Sequence, residues 1–522
     1  MPAREKRLLC WALGGYAVFG GLFAIAQTGY VNADFVAYAT IAHRWIERSP
    51  VISGCWSPLF SWLLTPLLAL RVPDLLAGRV LLLAFGAIYV VTVHAFACRI
   101  LPDEMPGGFA ILCGTVACAV LQATLWANNL LDPDLIAAAL LFTYFALTQR
   151  RGEQRNIPFF AGTSAGLAFL AKAYMLPFIV THAVLLRPFR RAGLPKFLAG
   201  MLLIALPWIA IVSWHLHHFT ISTAGSSNHA NLSPSNYGRH LLWNPGLVRD
   251  YIIDPRLGPD WSPFRDTVHL QHQLRLIAKN AFDTVSQIAS WLLLAVAGAG
   301  FWFATAAKRE RPDGSLLRVI TWCAITGALS AAGYWFVQIQ PRYFMPVAAP
   351  LLCLAGLCCF ARAAQHWQLA FTPVIALLLV AAFSVQDDYR LLQIATRHPQ
   401  SHQLSSYVQI ARQIQRFGGL DQLTACNRWH EGLIVAYAAR RVRQYLGTPN
   451  AGDSQAIERQ LDNAGAAAYI RWMNPAANPA ALPPIDRFVP RPPWQKILTI
   501  QNPANRVERI EFYARGALTG RR

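Results

Sequence analysis

The sequence predicts an α-helical protein that crosses a membrane many times and carries a small soluble domain after its last apolar segment. Hydrophobic residues make up 55% of the 522-residue chain and charged residues only 14%. The apolar residues form blocks of about 15 to 24, close to the ~20 residues that a helix needs to cross a bilayer. From Gln386 onward, charged and turn-forming residues return. We therefore predict an all-α polytopic membrane domain over residues 1–385 and a soluble α/β domain over residues 386–522.

Charge and cysteine content exclude several other classes of protein. The formal net charge of +20 would suggest a nucleic-acid partner in a soluble protein, but the Lys and Arg residues lie mainly in short clusters between apolar blocks. The tendency of basic residues to stay on the cytoplasmic side of a membrane accounts for such clusters, so we predict no nucleic-acid partner. None of the ten cysteines forms a CxxC pair, which argues against a zinc site or a disulfide framework.

Twelve apolar segments are candidate membrane crossings. They are residues 8–26, 57–70, 75–98, 108–126, 134–148, 158–171, 174–187, 197–215, 284–305, 316–338, 343–361 and 367–385. If all twelve crossed, the basic clusters near residues 150 and 190 would lie opposite the basic N-terminus, against the charge rule. Residues 57–70 are the weakest candidate, since about 14 residues are too few to span and two prolines interrupt them. We predict that this segment lies at the interface and that about eleven helices cross.

Eleven crossings place most basic clusters on the same, cytoplasmic side as the N-terminus. The clusters are Arg150, Arg151 and Arg155; Arg187, Arg190, Arg191 and Lys196; Lys308, Arg309, Arg311 and Arg318; and Arg362. Four basic residues do not follow the rule, namely Arg44, Arg48, Arg71 and Arg79. The same topology puts residues 217–283 and the C-terminal domain outside. As an alternative, the first apolar segment is a secretory signal cleaved near residues 24–26, although its ~18 residues suit a crossing.

The stretch NADFVAYATIAHRWIE, which follows the first apolar segment, predicts a helix that is apolar on one side only. One face carries Tyr38, Ile41, Ala42 and Trp45, and the other carries Thr40, His43, Arg44 and Glu47. Such a helix lies flat in the outer membrane interface, with Trp45 as an anchor. Asp34 lies at the start of this helix, where its carboxylate either caps backbone N–H groups or has a functional role.

A second acidic turn, NNLLDPD, precedes the apolar segment that begins at Leu135. Pro133 is tolerated at the start of a helix, so Asp132 or Asp134 could again be a capping residue. Two carboxylate sites in successive outer loops are harder to explain by capping alone, because ionised groups beside lipid are costly unless they pair or bind something. Together they could supply a general base and part of a metal site.

Two cations lie at the outer ends of apolar segments, Lys172 in GLAFLAKAYMLPF and Arg342 in QIQPRYFMP. Each either extends its charged end from the interface to water or holds a phosphate group there, for which Arg offers paired N–H donors. In the second case Tyr343 and Trp335 would border a groove that lipids can reach. Five histidines between residues 215 and 240 match no zinc spacing, and we expect most to be ordinary loop residues, with one or two lining a site.

The C-terminal region alternates short strand and helix patterns. LTACNRWHEGLIVAYAARR predicts a strand followed by a helix, and AAAYIRW, WQKILTI and RVERIEFYA predict three further strands. These patterns are the basis for expecting a small α/β domain.

Four features along residues 8–365 resemble, in their order, the GT-C superfamily of lipid-linked-sugar glycosyltransferases, close to the branch of aminoarabinose transferases and protein O-mannosyltransferases. They are NADFVAYATIAHRWIE, the interfacial segment WSPLFSWLLTPLLAL, the turn LDPDLIAAALLF, and GTSAGLAFLAKAYMLPF with the later QPRYFMPVAAPLL. The resemblance implies a hexosyl- or pentosyltransferase that uses a polyprenyl-phosphate sugar as donor and lies among membrane lipids. It also implies a bacterial inner membrane with the C-terminal domain in the periplasm; a eukaryotic endomembrane is the alternative.

The resemblance also assigns roles to the outer polar residues. Asp34 would be the catalytic base or would orient the acceptor. Asp134, with Asp132 as the alternative, would assist through hydrogen bonds or through a divalent metal ion, the one cofactor that the resemblance suggests. The donor phosphate would be contacted by three residues: Lys172, Arg342 and Tyr343.

This chain departs from the family pattern at two places, and two other functions compete with it. Many relatives have an acidic pair where Ala33 precedes Asp34, and aminoarabinose transferases have a Lys near Pro58, where this chain has Trp56 and Ser57. The alternatives are a polytopic transporter and a lipid-linked polysaccharide polymerase or ligase. A transporter usually has polar sites near the bilayer midplane and repeated halves, neither of which the sequence shows. The acceptor is left open as a glycan, a lipid or a protein.

Overall fold

The computed structural model describes residues 2–102, 104–149, 156–186, 189, 193–230, 232–234, 261–306, 314–396, 403–449, 453–477, 482, 484–505 and 507–515. His240 lies outside these ranges. So do several residues of the predicted basic clusters, namely Arg150, Arg151, Arg155, Arg187, Arg190, Arg191, Lys308, Arg309 and Arg311.

Helices account for all the regular secondary structure before residue 397 in the described part of the chain. The first nine are α1 (Ala3–Ala26), α2 (Ala33–Ile46), α3 (Pro58–Ala69), α4 (Asp74–Ile100), α5 (Gly108–Asn129), α6 (Asp134–Thr148), α7 (Ile157–Ala171), α8 (Met175–Leu186) and α9 (Leu194–His215). The next seven are α10 (Ala224–Ala230), α11 (Thr267–Gln287), α12 (Ala289–Ala306), α13 (Gly314–Ala332), α14 (Pro341–His366), α15 (Pro373–Phe383) and α16 (Val385–Thr396). A 3₁₀ helix, Gly333–Phe336, precedes α14.

The C-terminal region forms the predicted α/β fold. Its helices are α17 (Leu404–Gln415), α18 (Trp429–Ala438), α19 (Ser454–Asn463) and α20 (Pro484–Arg487), with 3₁₀ turns at Gly419–Asp421 and Val442–Gln444. Its strands are β1 (Thr424–Cys426), β2 (Tyr445–Gly447), β3 (Ala468–Met473), β4 (Trp494–Gln501) and β5 (Arg509–Arg515), in the sheet order β2-β1-β3-β5-β4. β1 pairs in parallel with β2 and β3, whereas β5 pairs antiparallel with β3 and β4. The four predicted strands are confirmed; β2 was not predicted.

Among the described residues, six helices are long and apolar enough to cross a membrane, and the pair α11–α12, bent by 71°, would make a seventh if it forms one span. Helices α3, α6, α7, α8 and α15 are apolar but shorter. The 12 residues of α3 extend only about 18 Å, which is too short for a ~30 Å bilayer core and agrees with an interfacial position. The count of eleven crossings, like the domain division at residue 386, stays a prediction.

Two glycines bring α7 and α9 into close contact. A Cβ atom at Gly162 would lie 2.0 Å from the carbonyl oxygen of Phe197, and one at Gly200 would lie 2.2 Å from that of Phe159. Small residues at such positions let membrane helices approach each other closely. This packing fixes α7, the helix that ends immediately before Lys172.

The helix predicted from NADFVAYATIAHRWIE is present as α2, but it is buried more completely than a helix lying at an interface. Phe35, Val36 and Ala39 are fully buried. Trp45, the predicted membrane anchor, packs edge-on against Trp62 with ring centroids 6.4 Å apart. The burial arises because α3, α4 and, from the C-terminal region, α18 all pack against α2.

The polar face of α2 contacts the C-terminal region. The imidazole Nε2 of His43 lies 3.0 Å from Asp74 Oδ2, and the same carboxylate accepts a hydrogen bond from the hydroxyl of Tyr437 in α18. One turn further along, Glu47 pairs with Arg443 at 2.8 Å. These contacts join α2 and the start of α4 to the C-terminal region.

Arg79, one of the four exceptions to the charge rule, has a local structural explanation. Its side chain is buried, and its guanidinium donates to the carbonyl oxygens of Ala127 and Asn128 at 3.3 and 3.1 Å and to that of Gln27 at 3.5 Å. The last carbonyl groups of a helix lack partners within the helix and carry partial negative charge. Arg79 therefore stabilises the C-terminal end of α5.

A buried carboxylate joins α16 to two membrane helices. Asp387 Oδ2 accepts hydrogen bonds from Gln122 of α5 at 2.6 Å and from the indole N–H of Trp291 of α12 at 2.7 Å. Its Oδ1 accepts from Arg390 at 2.7 Å. The carboxylate thus satisfies three donors on three different helices.

We expect Asp387→Leu to destabilise the protein strongly. The substitution leaves Arg390, Gln122 and Trp291 without their acceptor, and removing one partner of a buried ion pair typically costs about 3–5 kcal/mol. Thermal unfolding in detergent should show a clearly lower midpoint for this variant. The exposed neighbour Asp388 provides the control, since Asp388→Asn should leave the midpoint close to wild type. Equal midpoints for Asp387→Leu and Asp388→Asn would contradict the importance of this contact.

Candidate functional site

The five charged residues that the sequence predicted for the outer side lie together in the structure. Each is placed by the end of a helix: Asp34 in the first turn of α2, Asp132 in the turn before α6, Asp134 at the start of α6, Lys172 directly after α7, and Arg342 in the first turn of α14. Prolines at positions 133 and 341 suit these helix starts, where a missing backbone N–H costs nothing.

Arg342 is at the centre of this cluster. Its Nη2 donates to Asp34 Oδ2 at 2.8 Å, its Nη1 donates to Asp132 Oδ2 at 2.6 Å, and its Nε donates to Gln340 Oε1 at 2.8 Å. Nε also lies 3.5 Å from Asp134 Oδ2. Within the described residues these hydrogen bonds use three of the five N–H groups that a guanidinium offers.

Lys172 lies on the other side of Asp134 from Arg342 in this chain of contacts. Its ammonium group donates to Asp134 Oδ1 and lies 3.7 Å from the centroid of the Tyr343 ring. The Tyr343 ring in turn stacks on that of Tyr334 with centroids 4.7 Å apart. A cation over an aromatic face is attracted by the ring electrons, so Tyr343 helps to hold Lys172 in place.

The capping hypothesis is correct for one carboxylate oxygen only. Asp132 Oδ1 accepts the backbone N–H of Asp134 at 3.0 Å, while its other oxygen binds Arg342. Asp34 makes no capping hydrogen bond; the residue before α2 is Asn32, whose side chain bonds the backbone of Leu131. Asn32 thereby ties the start of α2 to the acidic turn.

The cluster contains three carboxyl groups and two cations, which leaves one negative charge in excess if all five are ionised. Burial, together with the charge of Asp134, raises the pKa of Asp132 to about 7, although Arg342 acts in the opposite direction. Burial would also raise the pKa of Asp34, but Arg342, His430 and Lys172 outweigh it and hold that pKa below 3.8. Asp34 is therefore ionised at neutral pH, and Asp132 is the group that relieves the excess charge.

A cavity of about 340 Å³ lies beside this cluster. Of the residues predicted for the site, Asp34, Arg342 and Tyr343 line it, whereas Asp132, Asp134 and Lys172 lie behind its wall. The remaining lining residues are Tyr30, Val31, Asn32, Ala33, Cys55, Trp56, Leu130, Ser227, Asn228, Gln338, Gln340, Trp429, His430 and Ile434.

Sequence reasoning missed Trp429 and His430, which come from the C-terminal region. They are the first two residues of α18, directly after the short parallel strand β1 and its turn. Ligands of open α/β sheets usually bind at the carboxyl ends of parallel strands, so the pattern TACNRWHEG carried a usable signal. None of the four described histidines between residues 215 and 229 lines this cavity, and His240 lies outside the described residues; Ser227 and Asn228 of that segment do line it.

The arrangement does not favour a divalent metal ion at Asp132. Both oxygens of this carboxyl group are already hydrogen-bonded to protein donors, and two neighbouring cations would repel a further positive charge. Within the described ranges no group of three or more His, Cys, Asp or Glu side chains is placed to hold a metal. The residues present fit an ion-pair cluster, and a metal-binding role for Asp132 stays a prediction.

No family model matches the chain, and no curated protein matches it. Solved structures do. The crystal structure of ArnT from Cupriavidus metallidurans bound to undecaprenyl phosphate aligns with a TM-score of 0.53 and 14% identity, covering 98% of this chain and 99% of that chain. The same protein in the apo state gives a TM-score of 0.50 over 89% of this chain and 93% of that chain, again at 14% identity.

An archaeal protein shares this fold as well. The oligosaccharyltransferase of Archaeoglobus fulgidus in its apo form aligns with a TM-score of 0.50 and 11% identity, covering 89% of this chain and 69% of that chain. The fold that the resemblance implies is thereby confirmed: a mostly helical chain with several apolar helices long enough to cross a membrane and a small C-terminal sheet. At these identities, what the chain has in common with ArnT and the oligosaccharyltransferase is the GT-C fold.

Proposed function

We propose that this protein is a membrane glycosyltransferase that moves a sugar from a polyprenyl-phosphate carrier to an acceptor. The observation that carries the proposal is the Asp34–Arg342 pair in the cavity wall. Here a carboxylate that can act as a base lies 2.8 Å from a guanidinium that can bind a phosphate. The shared fold with ArnT, whose structure was solved with undecaprenyl phosphate, supports a lipid phosphate as the carrier.

Such a transfer needs three things from the site. The acceptor oxygen must lose its proton as it bonds to the anomeric carbon, the sugar must be oriented, and the phosphate that leaves with the bonding electron pair must be stabilised. Asp34 is ionised and faces the cavity, so it is placed to take the proton. Arg342 faces the same cavity with two N–H groups beyond its three protein contacts, so it is placed to hold the phosphate.

Binding of the phosphate would also activate the base. In the unliganded protein Arg342 lowers the proton affinity of Asp34. A phosphate beside Arg342 competes for the same guanidinium and adds a negative charge, and both effects raise the proton affinity of Asp34. The site would thus become basic when the donor is present.

The residues behind the wall have positioning roles in this proposal. Asp132 and Asp134 hold Arg342, and Lys172 holds Asp134 and Tyr343. The sequence suggested that Lys172 contacts the phosphate directly. For that contact, the Lys172 side chain would have to move away from Asp134. We propose that Lys172 fixes the geometry of the site, with Tyr343 as the residue between it and the donor.

We also propose a bacterial inner membrane with eleven crossings, the N-terminus in the cytoplasm and the C-terminal domain in the periplasm. The charge pattern supports this orientation. The site then opens to the periplasmic side, where a lipid-borne sugar can meet an acceptor from the aqueous phase. The division between the two domains at residue 386 is part of the same proposal.

Loss of the base should abolish transfer. We expect Asp34→Asn to reduce the rate about 10²–10⁴-fold, the usual contribution of a general base, because the amide keeps the shape but cannot accept the proton. The measurement is mass spectrometry of envelope glycans and glycolipids from a deletion strain that carries either wild type or the variant at matched expression. Asp421→Asn, at an exposed position, is the control. Full complementation by Asp34→Asn would remove Asp34 from catalysis.

The phosphate-binding role of Arg342 can be tested without the donor sugar. Arg342→Lys keeps the charge and loses the paired N–H geometry, so we expect the Kd for undecaprenyl phosphate to rise about tenfold. Titration of the carrier lipid against protein in nanodiscs measures it. Arg362 lies near the other end of the same helix, and Arg362→Lys should leave the Kd unchanged. An unchanged Kd for Arg342→Lys would place the phosphate elsewhere.

The raised pKa of Asp132 predicts a specific pH dependence of stability. Between the ordinary value of 3.8 and about 7, folded protein holds a proton on Asp132 that unfolded protein lacks. The contribution of this group to the free energy of unfolding therefore falls as pH rises towards 7 and is lost above it. Thermal midpoints at pH 5 to 8 should decline with pH more steeply for wild type than for Asp132→Asn. Parallel profiles for the two proteins would contradict a raised pKa.

A further inference from the structure

The C-terminal domain forms part of the cavity wall beside Asp34. Three residues of α18 line the cavity together with Asp34 and Arg342: Trp429, His430 and Ile434. None of these three residues has a role in the sugar transfer proposed for Asp34 and Arg342.

The start of α18 is fixed by the sheet. The side chain of Asn427, in the turn after β1, donates to the carbonyl oxygen of Trp472 at 2.9 Å and accepts the backbone N–H of Trp472 at 2.7 Å. Gly432 lets the helix lie against the sheet, since a Cβ there would be 2.6 Å from Cys426 Cβ and from the Tyr445 hydroxyl. Trp429 and His430 therefore project from a rigid support.

The domain is also fixed on the membrane helices. Tyr437 at the other end of α18 donates to Asp74, which binds His43 of α2, and Arg443 pairs with Glu47. The distance between α18 and Asp34 is thus set by direct contacts on α2, the helix that carries Asp34. Preorganised side chains of this kind are what a binding site requires.

The side chains of Trp429 and His430 differ in burial but share one feature, namely that their polar groups form no hydrogen bond within the described residues. The Trp429 side chain is 6% exposed, and its indole N–H has no hydrogen-bond acceptor in the described part of the chain. The imidazole of His430 lies beside it, with ring centroids 4.6 Å apart, and no hydrogen bond to another described residue engages it. Buried polar groups are nearly always paired in native proteins, so a bound molecule is the natural partner of the Trp429 indole. The imidazole of His430 is exposed and lines the same cavity, where such a molecule can reach it.

The charges of the lining residues restrict what that molecule can be. Apart from His430, the ionisable lining residues with a charge at neutral pH are Asp34 and Arg342. Arg342 already faces Asp34, Asp132 and Asp134, and the donor phosphate would use its remaining N–H groups. An acceptor phosphate or carboxylate would therefore approach Asp34 and the donor phosphate with only the imidazole of His430 as a counter-charge. Two like charges about 4 Å apart repel each other by about 4 kcal/mol at the effective dielectric constant typical of a protein surface.

We propose that Trp429 and His430 bind the acceptor, and that the acceptor is a neutral hydroxyl group of a glycan. The aromatic face of Trp429, together with those of Tyr30 and Trp56, suits the apolar face of a sugar ring, and the neighbouring amides of Asn228 and Gln338 suit its hydroxyl groups. The inference rests on the proposed function and names its acceptor.

The step balances in atoms and charge. The hydroxyl oxygen of the glycan bonds to the anomeric carbon of the donor, and the bond from that carbon to the carrier phosphate breaks, with its electron pair remaining on the phosphate. The hydroxyl proton passes to Asp34. His430 accepts or donates a hydrogen bond at the acceptor and orients the attacking oxygen, and the indole N–H of Trp429 donates to a second hydroxyl.

The first experiment identifies the linkage. Envelope glycans from the deletion strain and from the complemented strain are compared by mass spectrometry before and after mild acid treatment, which cleaves glycosyl phosphates and leaves ordinary glycosidic bonds intact. We expect the added sugar to survive the treatment. A sugar released by mild acid, or one attached to a protein or a non-glycan lipid, would overturn the acceptor assignment. Identical glycans in the two strains would instead overturn the proposed function.

The second experiment tests the two residues. His430→Ala should lower transfer at least tenfold with the Kd for undecaprenyl phosphate unchanged, and His430→Gln, which keeps a hydrogen-bonding group, should recover part of the activity. Trp429→Phe, which keeps the ring and loses the N–H, should lower transfer by a smaller factor. The exposed His215 at the end of α9 is the control, with His215→Ala as active as wild type. Wild-type transfer by His430→Ala, or a weakened Kd in that variant, would overturn the assignment.

Discussion

The arrangement of the outer side of this protein depends on one guanidinium group. Arg342 contacts carboxylates from α2, from the turn between α5 and α6, and from α6, and thereby holds the starts of α2 and α6 against the start of its own helix. Asp34 and Arg342 are 308 residues apart, so this contact closes most of the chain into one unit. The charged part of the cavity wall and the position of Lys172 follow from where this cluster lies.

Stability alone does not explain such a cluster. Transferring five ionisable groups from water into a buried site costs several kcal/mol per ion, and well-packed apolar residues of similar volume are often as stable or more so. Buried ionisable groups of this kind cluster at functional sites, where their charges act on a ligand. Arg342 and Asp34 are the members that reach the cavity, while Asp132, Asp134 and Lys172 neutralise and orient them from behind. This division between facing and supporting charges is the strongest structural argument for a site that handles a charged substrate.

The sequence was informative where chemistry follows from local pattern. Apolar blocks predicted the helices, and charged residues at their ends predicted the five members of the cluster. Alternating apolar and polar residues predicted four of the five strands. It could not show that Asp34 pairs with Arg342, because nothing local encodes a contact between segments so distant. Nor could it show that the neighbour of Lys172 in space is Asp134. The burial of α2 depends on packing by α3, α4 and α18, and the position of Trp429 and His430 depends on the packing of the C-terminal region on α2; both are contacts between distant segments. Strand β2 is only three residues long and has almost no sequence pattern.

The excess negative charge of the cluster has a consequence for the proposed function. A donor phosphate adds negative charge to three carboxyl groups that face only two cations, so binding is favourable chiefly when one carboxyl group is protonated. Asp132 has a pKa of about 7 and is the group that can hold this proton without blocking the cavity, since it lies behind the wall. Asp34 can then stay ionised and receive the acceptor proton. Under the proposed function, donor binding and proton uptake would be linked in this way through Arg342, the residue that both carboxylates share.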